Sequence, residues 1–307
     1  MDLKHQKYFN CNYPIICSGM NTVSNVKLAL AVRRAGCYPS FVAYNHTVLD
    51  QILDISTLDK DLKEYYNLGG DRNYILGINS SLLVESDSFL KLLLEHKPAY
   101  VELFDTDYLT HPKFTESVNL LHTEEIKILV KSLSAGYFFN CIQNGHNIQS
   151  LLDGIILKGP KGAGRVAKEE INLVNDIKKI RLLFKDLIIV AQGGVHSPAD
   201  ILELQESGAD IVSIGTMFAV SEESSISLET KIKMLKSSYA ETVRIGQVNQ
   251  NGIQFSKMAT DDENNTAGLK LGVDTGKQGH VFAGAAIDYI TEIKPVQQIV
   301  QDLIKGL

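Results

Sequence analysis

Two short glycine-containing loops carry the clearest chemical signal in this sequence. Gln192-Gly-Gly follows one short β-branched run, and Gly215-Thr follows the next. Glycine lets the backbone approach an anion with no Cβ atom in the way, and backbone N–H groups at such loops bind phosphate. A single Gly-Gly pair is more often a tight turn, but two loops after consecutive strands favour a phosphate site. Its predicted members are Gly193, Gly194, Gly215 and Thr216.

Small and polar residues after other strands could contact a planar ring. Ser18, Gly19 and Met20 form a segment against which a flat heteroaromatic ring could lie, with backbone N–H and C=O groups meeting its polar edge. Asn79 carries an amide that both donates and accepts hydrogen bonds. A core-filling Met20 and a turn-forming Asn79 explain these residues equally well when each is taken alone.

Two lysines are predicted to close the fifth and sixth strands. A lysine at the inner end of a barrel strand is costly to bury unless it meets an anion. A phosphate, a carboxylate or a negatively charged ring would each pair with Lys131 or Lys158. The alternative is a lysine whose ammonium group extends to solvent at the rim.

The elements that must position these residues follow a regular alternation. Short β-branched runs alternate with stretches of helical periodicity, which predicts βαβ units around a parallel sheet. The predicted strands are Pro14–Cys17, Tyr38–Val42, Tyr74–Ile78, Tyr100–Leu103, Lys127–Lys131, Gly154–Leu157, Leu187–Val190 and Ile211–Ile214. The predicted helices include Ser24–Ala35, Asp87–Glu95, Lys168–Ile180, Pro198–Ser207, Leu228–Ser237 and Pro295–Ile304. Ser24 and Ser197 are predicted N-caps, and Pro198 suits a first helical turn.

Eight such units favour a closed (β/α)₈ TIM barrel over an open sheet, because a barrel brings all strand carboxyl ends to one rim. We predict that residues 1–220 and 281–307 form this barrel. Residues 221–280 are predicted to be a helical and irregular elaboration over the barrel mouth, without a core of its own. No Gly-x-Gly-x-x-Gly segment opens an early βαβ unit, so a Rossmann nucleotide site is disfavoured.

Composition narrows the class of protein. A net charge of -6 leaves no basic surplus for a nucleic-acid backbone. The four cysteines, which lack metal-ligand spacing, are predicted to be reduced thiols in a cytoplasmic protein. The sequence has no secretory h-region and no apolar run long enough to span a membrane. We expect a small-molecule ligand, with neither nucleic acid nor membrane as a partner.

Several segments together resemble the nitronate monooxygenase family of FMN-dependent barrels, which is related to flavin-dependent enoyl-acyl-carrier-protein reductases. Pro14-Ile-Ile-Cys-Ser-Gly-Met is similar to the family's first-strand motif, which usually ends in Ala-Pro-Met. Leu76-Gly-Ile-Asn resembles its third-strand Gly-Val-Asn. The segments that match best are Ile188–Val195 and Ser207–Ala219, and weaker matches are Asp153–Arg165 and Phe282–Ile287.

The resemblance implies FMN, with its phosphate at the two glycine loops and its ring system toward Met20, Asn79, Lys158 and Gly159. The full set of predicted cofactor contacts is Ser18, Gly19, Met20, Asn79, Lys131, Lys158, Gly159, Gln192, Gly193, Gly194, Gly215 and Thr216. No metal is expected. NAD(P)H is expected only as an optional reductant.

The main departure from the family pattern is Arg165, which stands where the family has a histidine that acts as catalytic base. Arginine stays protonated and cannot take that role. Arg165 could instead hold an anionic substrate through its planar fork or polarise a carbonyl, and it could equally pair with Glu169. Lys158 replaces the usual glutamine. We predict Arg165 and Lys158 as the catalytic residues; His146, His196 and Tyr137 are weak alternatives for proton transfer.

The predicted function is an FMN-dependent oxidoreductase that oxidises a nitronate or a similar small substrate with oxygen. A pre-formed nitronate needs no proton removed, which suits the missing base. The alternatives are an NAD(P)H-dependent enoyl-thioester reductase and a non-catalytic flavin-binding protein. A phosphorylated-nucleotide dehydrogenase is weaker, because residues 159–166 contain no nucleophilic cysteine. The oligomeric state is left open, with a homodimer as one alternative.

Overall fold

The computed structural model describes residues 4–43, 54–144, 148–166, 171–245, 254–259, 273–274 and 280–307. Within these ranges, no helix is both long and apolar enough to cross a lipid bilayer.

Eight parallel strands form the centre of the fold, as predicted. They are β1 (Ile15–Cys17), β2 (Ser40–Val42), β3 (Ile75–Ile78), β4 (Tyr100–Leu103), β5 (Lys127–Ser132), β6 (Gly154–Lys158), β8 (Ile188–Gln192) and β9 (Ile211–Ile214). From β2 to β9, each of these strands pairs with the next one named here, and β9 pairs with β1. A bridge between Ile16 and Tyr38 joins β1 to β2 and closes the sheet into a (β/α)₈ barrel.

The predicted strand ends differ from the observed ones by no more than two residues. The register places equivalent positions side by side: Lys158 pairs with Gln192, and Gln192 pairs with Ser213. Because side chains alternate between the two faces of a strand, this register determines which residues point into the barrel at the same height.

Helices separate the strands and cover the outside of the barrel. Their bounds are Val26–Arg34, Ile55–Asn67, Leu82–Glu85, Asp87–His96, Pro112–Thr123, Ala135–Asn144, Leu173–Leu183 and Pro198–Glu206. Ser197 caps the last of these in a capping box with Asp200, as predicted. The prediction of Ser24 as an N-cap was wrong: Asn25 caps that helix by accepting from the Leu28 N–H, while Ser24 accepts from the Met20 N–H.

The elaboration differs in kind from the helical and irregular structure predicted for residues 221–280. After the helices Thr216–Ala219 and Leu228–Leu235, the described residues include β10 (Thr242–Ile245), β11 (Gln254–Ala259) and β12 (His280–Val281). β11 also pairs with β7 (Gly164–Val166), which lies in the loop after β6. A small antiparallel sheet therefore joins the elaboration to that loop. The sequence did not predict it, because its strands are short and far apart along the chain.

Two apolar clusters lie at opposite ends of the barrel strands and bound the space that a ligand could occupy. At the amino ends of the strands, Phe9 stacks on Tyr100 with ring centroids 4.7 Å apart and meets Tyr38 edge-on at 5.1 Å. Each such aromatic pair contributes about 0.5–1.5 kcal/mol beyond the burial of its area. A second cluster lies over the carboxyl ends and includes Ile226 and Val281. The helix Val296–Leu303 packs its apolar face into the main core.

Candidate active site at the carboxyl ends of the barrel strands

A cavity of about 360 Å³ lies between the strand ends and the elaboration. Its volume is within the range usual for small-molecule sites, and its position is where barrel enzymes bind their ligands. Eleven of the twelve predicted cofactor contacts line it: Ser18, Gly19, Met20, Asn79, Lys131, Lys158, Gln192, Gly193, Gly194, Gly215 and Thr216.

The floor of the cavity is a ring of inward-facing side chains, one from the carboxyl end of each barrel strand. Hydrophobic residues two positions earlier, such as Ile16, Ile156 and Val190, belong to the buried interior below it. The ring consists of Ser18, Val42, Asn79, Phe104, Lys131, Lys158, Gln192 and Ser213. Sequence reasoning identified five of these but missed Val42, Phe104 and Ser213. Strict two-residue periodicity counted from each strand would have identified them.

The two glycine loops form one wall of the cavity. Gly193 and Gly194 have φ angles of +111° and +79°, in the region that favours glycine. A Cβ atom on Gly194 would lie 2.7 Å from Cβ of Lys161, so the loop leaves no room for a side chain there. Gly215 precedes the short helix Thr216–Ala219. The structure brings both loops to one wall of the cavity.

Residues of the later segment Phe282–Ala286 complete this wall. The Gly284 N–H donates to Thr216 Oγ1 at 3.0 Å, and the Ala285 N–H donates to the Lys161 carbonyl at 2.9 Å. A Cβ atom on Gly284 would lie 2.7 Å from the Lys161 carbonyl oxygen. The segment therefore holds the loop after β6 against the loop after β9.

Lys131 meets an anion, but the anion is a carboxylate of the protein itself. Its Nζ forms an ion pair with Glu102, and the side chains are only 15% and 4% exposed. Glu102 lies two residues before the floor residue Phe104, so the pair spans adjacent layers of the barrel interior. The Lys131 Nζ also lies 4.8 Å from the centroid of the Phe104 ring. The ammonium group thus reaches the cavity with a fixed counter-ion beneath it.

Replacing Lys131 by methionine should destabilise the protein by about 3–5 kcal/mol, because the buried Glu102 carboxylate is left unpaired. Urea unfolding monitored by circular dichroism would measure this. The double variant Lys131→Met/Glu102→Leu should recover most of the loss, since no buried charge remains. A double variant no more stable than the single variant would contradict this account of the pair.

Lys158 is buried and faces the cavity from the end of β6. Its Nζ donates to the Ala163 carbonyl, which ties the lysine to the loop that leads into β7. Gly159 is the one predicted cofactor contact that does not line the cavity. Its N–H donates to the Gln192 carbonyl at 2.7 Å and its carbonyl accepts from the Gly162 N–H. Gly159 therefore shapes the loop behind the cavity wall.

Three polar floor residues form a hydrogen-bonded chain across neighbouring strands. Gln192 Nε2 donates to Ser18 Oγ at 2.9 Å, and Ser18 Oγ lies 2.7 Å from Ser213 Oγ. Gln192 Oε1 is buried and has no hydrogen-bond partner among the described residues. This buried acceptor beside the cavity is available to a hydrogen-bond donor that enters the cavity.

The other predicted site residues are distributed as follows. The backbone of Arg165 lies in β7, paired with Phe255 of β11. His146 lies outside the described residues. His196 is within hydrogen-bonding distance of the Gly194 carbonyl, at 3.0 Å, and stacks on Tyr289. Tyr137 bonds to Thr106 at 2.8 Å and does not line the cavity; burial raises its pKa.

The wall opposite the barrel floor is apolar and comes from the loop after β1, the elaboration and the later segment 281–286. Its members are Val23, Ala219, Ile226, Val273, Val281, Phe282 and Ala286. Sequence reasoning missed most of these residues, because a hydrophobic residue in an irregular segment carries no signal of which surface it faces. The cavity thus has a polar side at the strand ends and an apolar side above it.

The four cysteines are free thiols and none lines the cavity. Burial raises the pKa of Cys11 to about 12 and that of Cys17 still further. Because the thiolate is the nucleophilic form, these residues are poor nucleophiles. This arrangement agrees with setting aside a nucleotide dehydrogenase.

Comparisons with known proteins agree with the motifs. No family model matches the chain. A nitronate monooxygenase of Neurospora crassa is 24% identical over an alignment that covers 95% of this chain and 88% of that protein. The resemblance predicted from the motifs is therefore confirmed, and the prediction of an oxidoreductase agrees with it.

Solved structures share the fold over almost the whole chain. FabK from Thermotoga maritima has a TM-score of 0.77 at 21% identity, covering 98% of this chain and 94% of that one. A nitroalkane oxidase from Streptomyces ansochromogenes has a TM-score of 0.73 at 16% identity, covering 97% and 96%. Likeness at this level of identity establishes the barrel fold.

Proposed function

We propose that this protein is an FMN-dependent oxidoreductase of the nitronate monooxygenase type, acting on a nitronate or a similar small substrate with oxygen. The observation that carries the proposal is the cavity wall at Gly193 and Gly194, where positive φ angles and the contact with Lys161 leave backbone alone facing the ligand. The curated nitronate monooxygenase relative supports the same assignment.

The residues present fit the phosphate of FMN. Residues of the two glycine loops line one cavity, and Gly215 precedes the first turn of a helix, where orphan N–H groups bind anions. Thr216 Oγ1 accepts from the Gly284 N–H, and within the described part of the chain its hydroxyl hydrogen has no acceptor, so it can donate to a phosphate oxygen. We assign Gly193, Gly194, Gly215 and Thr216 to the phosphate.

The residues present also fit a planar ring with a polar edge. Gly19 packs so closely under Val42 that a Cβ atom would lie 2.8 Å from Val42 Cγ2, which leaves a flat backbone surface. Asn79 and Gln192 offer amide groups at the floor, and Lys131 and Lys158 offer positive charge. Those positive charges would favour the anionic, reduced form of the ring over its neutral, oxidised form.

When bound, FMN would supply the electron transfer, and the chain supplies position, charge and exclusion of water. The apolar wall that contains Ile226, Val273 and Phe282 offers no polar side chain to hold water above the floor. Arg165, in β7 at the junction with the elaboration, is assigned to the anionic group of the substrate. An arginine holds an anion without removing a proton, which suits a nitronate that arrives already deprotonated.

An NAD(P)H-dependent enoyl-thioester reductase is the second candidate. The apolar wall favours it, because that wall would accommodate an acyl chain as well as a short alkyl group. A reduction also begins without proton abstraction, so the absence of the catalytic histidine does not distinguish the two. A non-catalytic flavin-binding protein is the third candidate. The homodimer and the cytoplasmic location remain predictions.

The visible spectrum of the purified protein tests the proposal. We expect a flavin spectrum and release of FMN on denaturation, and we expect oxygen consumption when an alkyl nitronate is added. A preparation that is colourless and takes up no FMN would overturn the assignment. Bleaching by NADH or NADPH without oxygen, followed by reoxidation with a crotonyl thioester but not with a nitronate, would favour the reductase. Bound FMN that no reductant or substrate changes would favour the non-catalytic protein.

A further inference from the structure

The hydrogen bonds among Ser18, Gln192 and Ser213 leave some of the polar groups of these side chains unpaired at the cavity floor. The three side chains come from β1, β8 and β9, which are adjacent in the barrel. Ser18 and Ser213 are each 4% exposed. Because Gln192 and Ser213 are direct register partners, the barrel itself fixes their spacing.

Two polar groups of these side chains, one hydroxyl hydrogen and one acceptor oxygen, have no hydrogen-bond partner among the described residues. Ser18 Oγ accepts from Gln192 Nε2, and a single hydroxyl hydrogen lies between Ser18 and Ser213 whichever of them donates. One serine hydroxyl hydrogen therefore remains without an acceptor among the described residues. Gln192 Oε1 remains without a donor. The floor offers one acceptor and one donor side by side, both buried.

A ligand edge that carries an N–H next to a C=O matches this pair, whereas a hydrocarbon chain or a bare aromatic edge leaves both groups unsatisfied. Sites built to hydrogen-bond a polar ligand group discriminate strongly against the analogue that lacks it. Resting on the proposed function, we propose that Gln192, held in orientation by Ser18 and Ser213, accepts a hydrogen bond from the imide N–H of the flavin ring and selects for that edge.

The orientation of Gln192 depends on Ser18, which makes Ser18 a positioning residue. With the Nε2 group engaged by Ser18, the carbonyl oxygen is the end of the amide that remains for the ligand. Removing the Ser18 hydroxyl would let the Gln192 amide turn, so that an N–H could face the N–H of the ligand. The resemblance places Ala-Pro where this chain has Ser18-Gly19, so the hydroxyl is a feature of this chain.

Lumiflavin and 3-methyllumiflavin test the proposal, because both lack the phosphate and they differ only at the imide nitrogen, which carries a hydrogen in the first and a methyl group in the second. Apo-protein is titrated with each by flavin fluorescence. We expect wild-type protein to prefer lumiflavin by about tenfold, the value of roughly one buried hydrogen bond. Gln192→Leu should bind the two within about twofold of each other. Ser18→Ala should reduce the preference to about threefold, and the double variant should match Gln192→Leu, because the two residues act through one contact.

The control is Ser40→Ala, which removes another buried barrel serine that does not line the cavity. It should keep the full preference. An unchanged preference in Gln192→Leu would overturn the inference while leaving the proposed function intact. Wild-type protein that binds neither FMN nor lumiflavin would overturn the proposed function itself. If Gln192→Leu does not fold, Ser18→Ala decides, since an unchanged preference in that variant also contradicts the inference.

Discussion

Replacing Gly194 by valine is expected to lower the affinity for FMN by at least about a hundredfold, equivalent to about 2.8 kcal/mol. The φ angle of +79° costs an L-residue about 1–2 kcal/mol, and a Cβ atom would lie 2.7 Å from Lys161 Cβ. Relief of that contact must move the loop that contains Gly194 away from the loop that contains Lys161. The backbone N–H groups at Gly193 and Gly194 would then no longer reach the phosphate. The absorbance ratio of the purified protein and a fluorescence titration with FMN would measure the loss.

Gly69→Val is the matched control. Gly69 has a similar φ of +93°, and within the described structure no heavy atom lies within 4 Å of a Cβ built there. It should lose comparable backbone stability but keep FMN. Lumiflavin has no phosphate, so the Gly194→Val substitution should lower the affinity for lumiflavin far less than it lowers the affinity for FMN. If Gly194→Val retained FMN within about threefold, the phosphate would lie elsewhere in the cavity.

Replacing Arg165 by alanine should lower kcat/KM for a nitronate by about a hundredfold, while FMN affinity changes by no more than about twofold. Loss of a charge-assisted contact to a desolvated anion costs about 2–5 kcal/mol. Steady-state oxygen consumption and FMN titration would measure the two effects separately. Arg165→Lys should recover only part of the activity, because lysine keeps the charge but loses the planar fork.

Arg72→Ala is the control for the loss of a positive charge. Arg72 lies before β3, at the amino ends of the barrel strands, away from the cavity. It should leave both turnover and FMN affinity unchanged. Equal losses of FMN and turnover in Arg165→Ala would instead assign Arg165 a structural role at the β7–β11 junction.

The barrel could be predicted from the sequence because its signals are local. Segments such as Ile211–Ile214 are short, β-branched and bounded by turn residues, so their ends can be identified without knowing their neighbours. The glycine loops are local signals too, since the need for a positive φ selects glycine at Gly193 and Gly194. Most of the predicted cofactor contacts line the cavity for the same reason: each follows directly from the end of a strand.

The contacts within the site could not be predicted, because they depend on register between distant residues. Gln192 and Ser18 are 174 positions apart, and their hydrogen bond exists only because β9 lies between β8 and β1. The ion pair of Lys131 with Glu102 likewise depends on the height of two adjacent strands. The pairing of β7 with β11 could not be predicted either, since β7 has only three residues and its partner lies far along the chain.

The hydrogen bonds of Gly284 and Ala285 to the loops after β9 and β6 come from a late part of the chain, and this order affects when the cavity is completed during synthesis. All eight barrel strands precede this segment in the chain, so they are synthesised before the wall of the cavity gains its contacts to Thr216 and Lys161. We therefore expect a chain that ends before residue 284 to contain every barrel strand but to bind the proposed FMN more weakly than the full chain does.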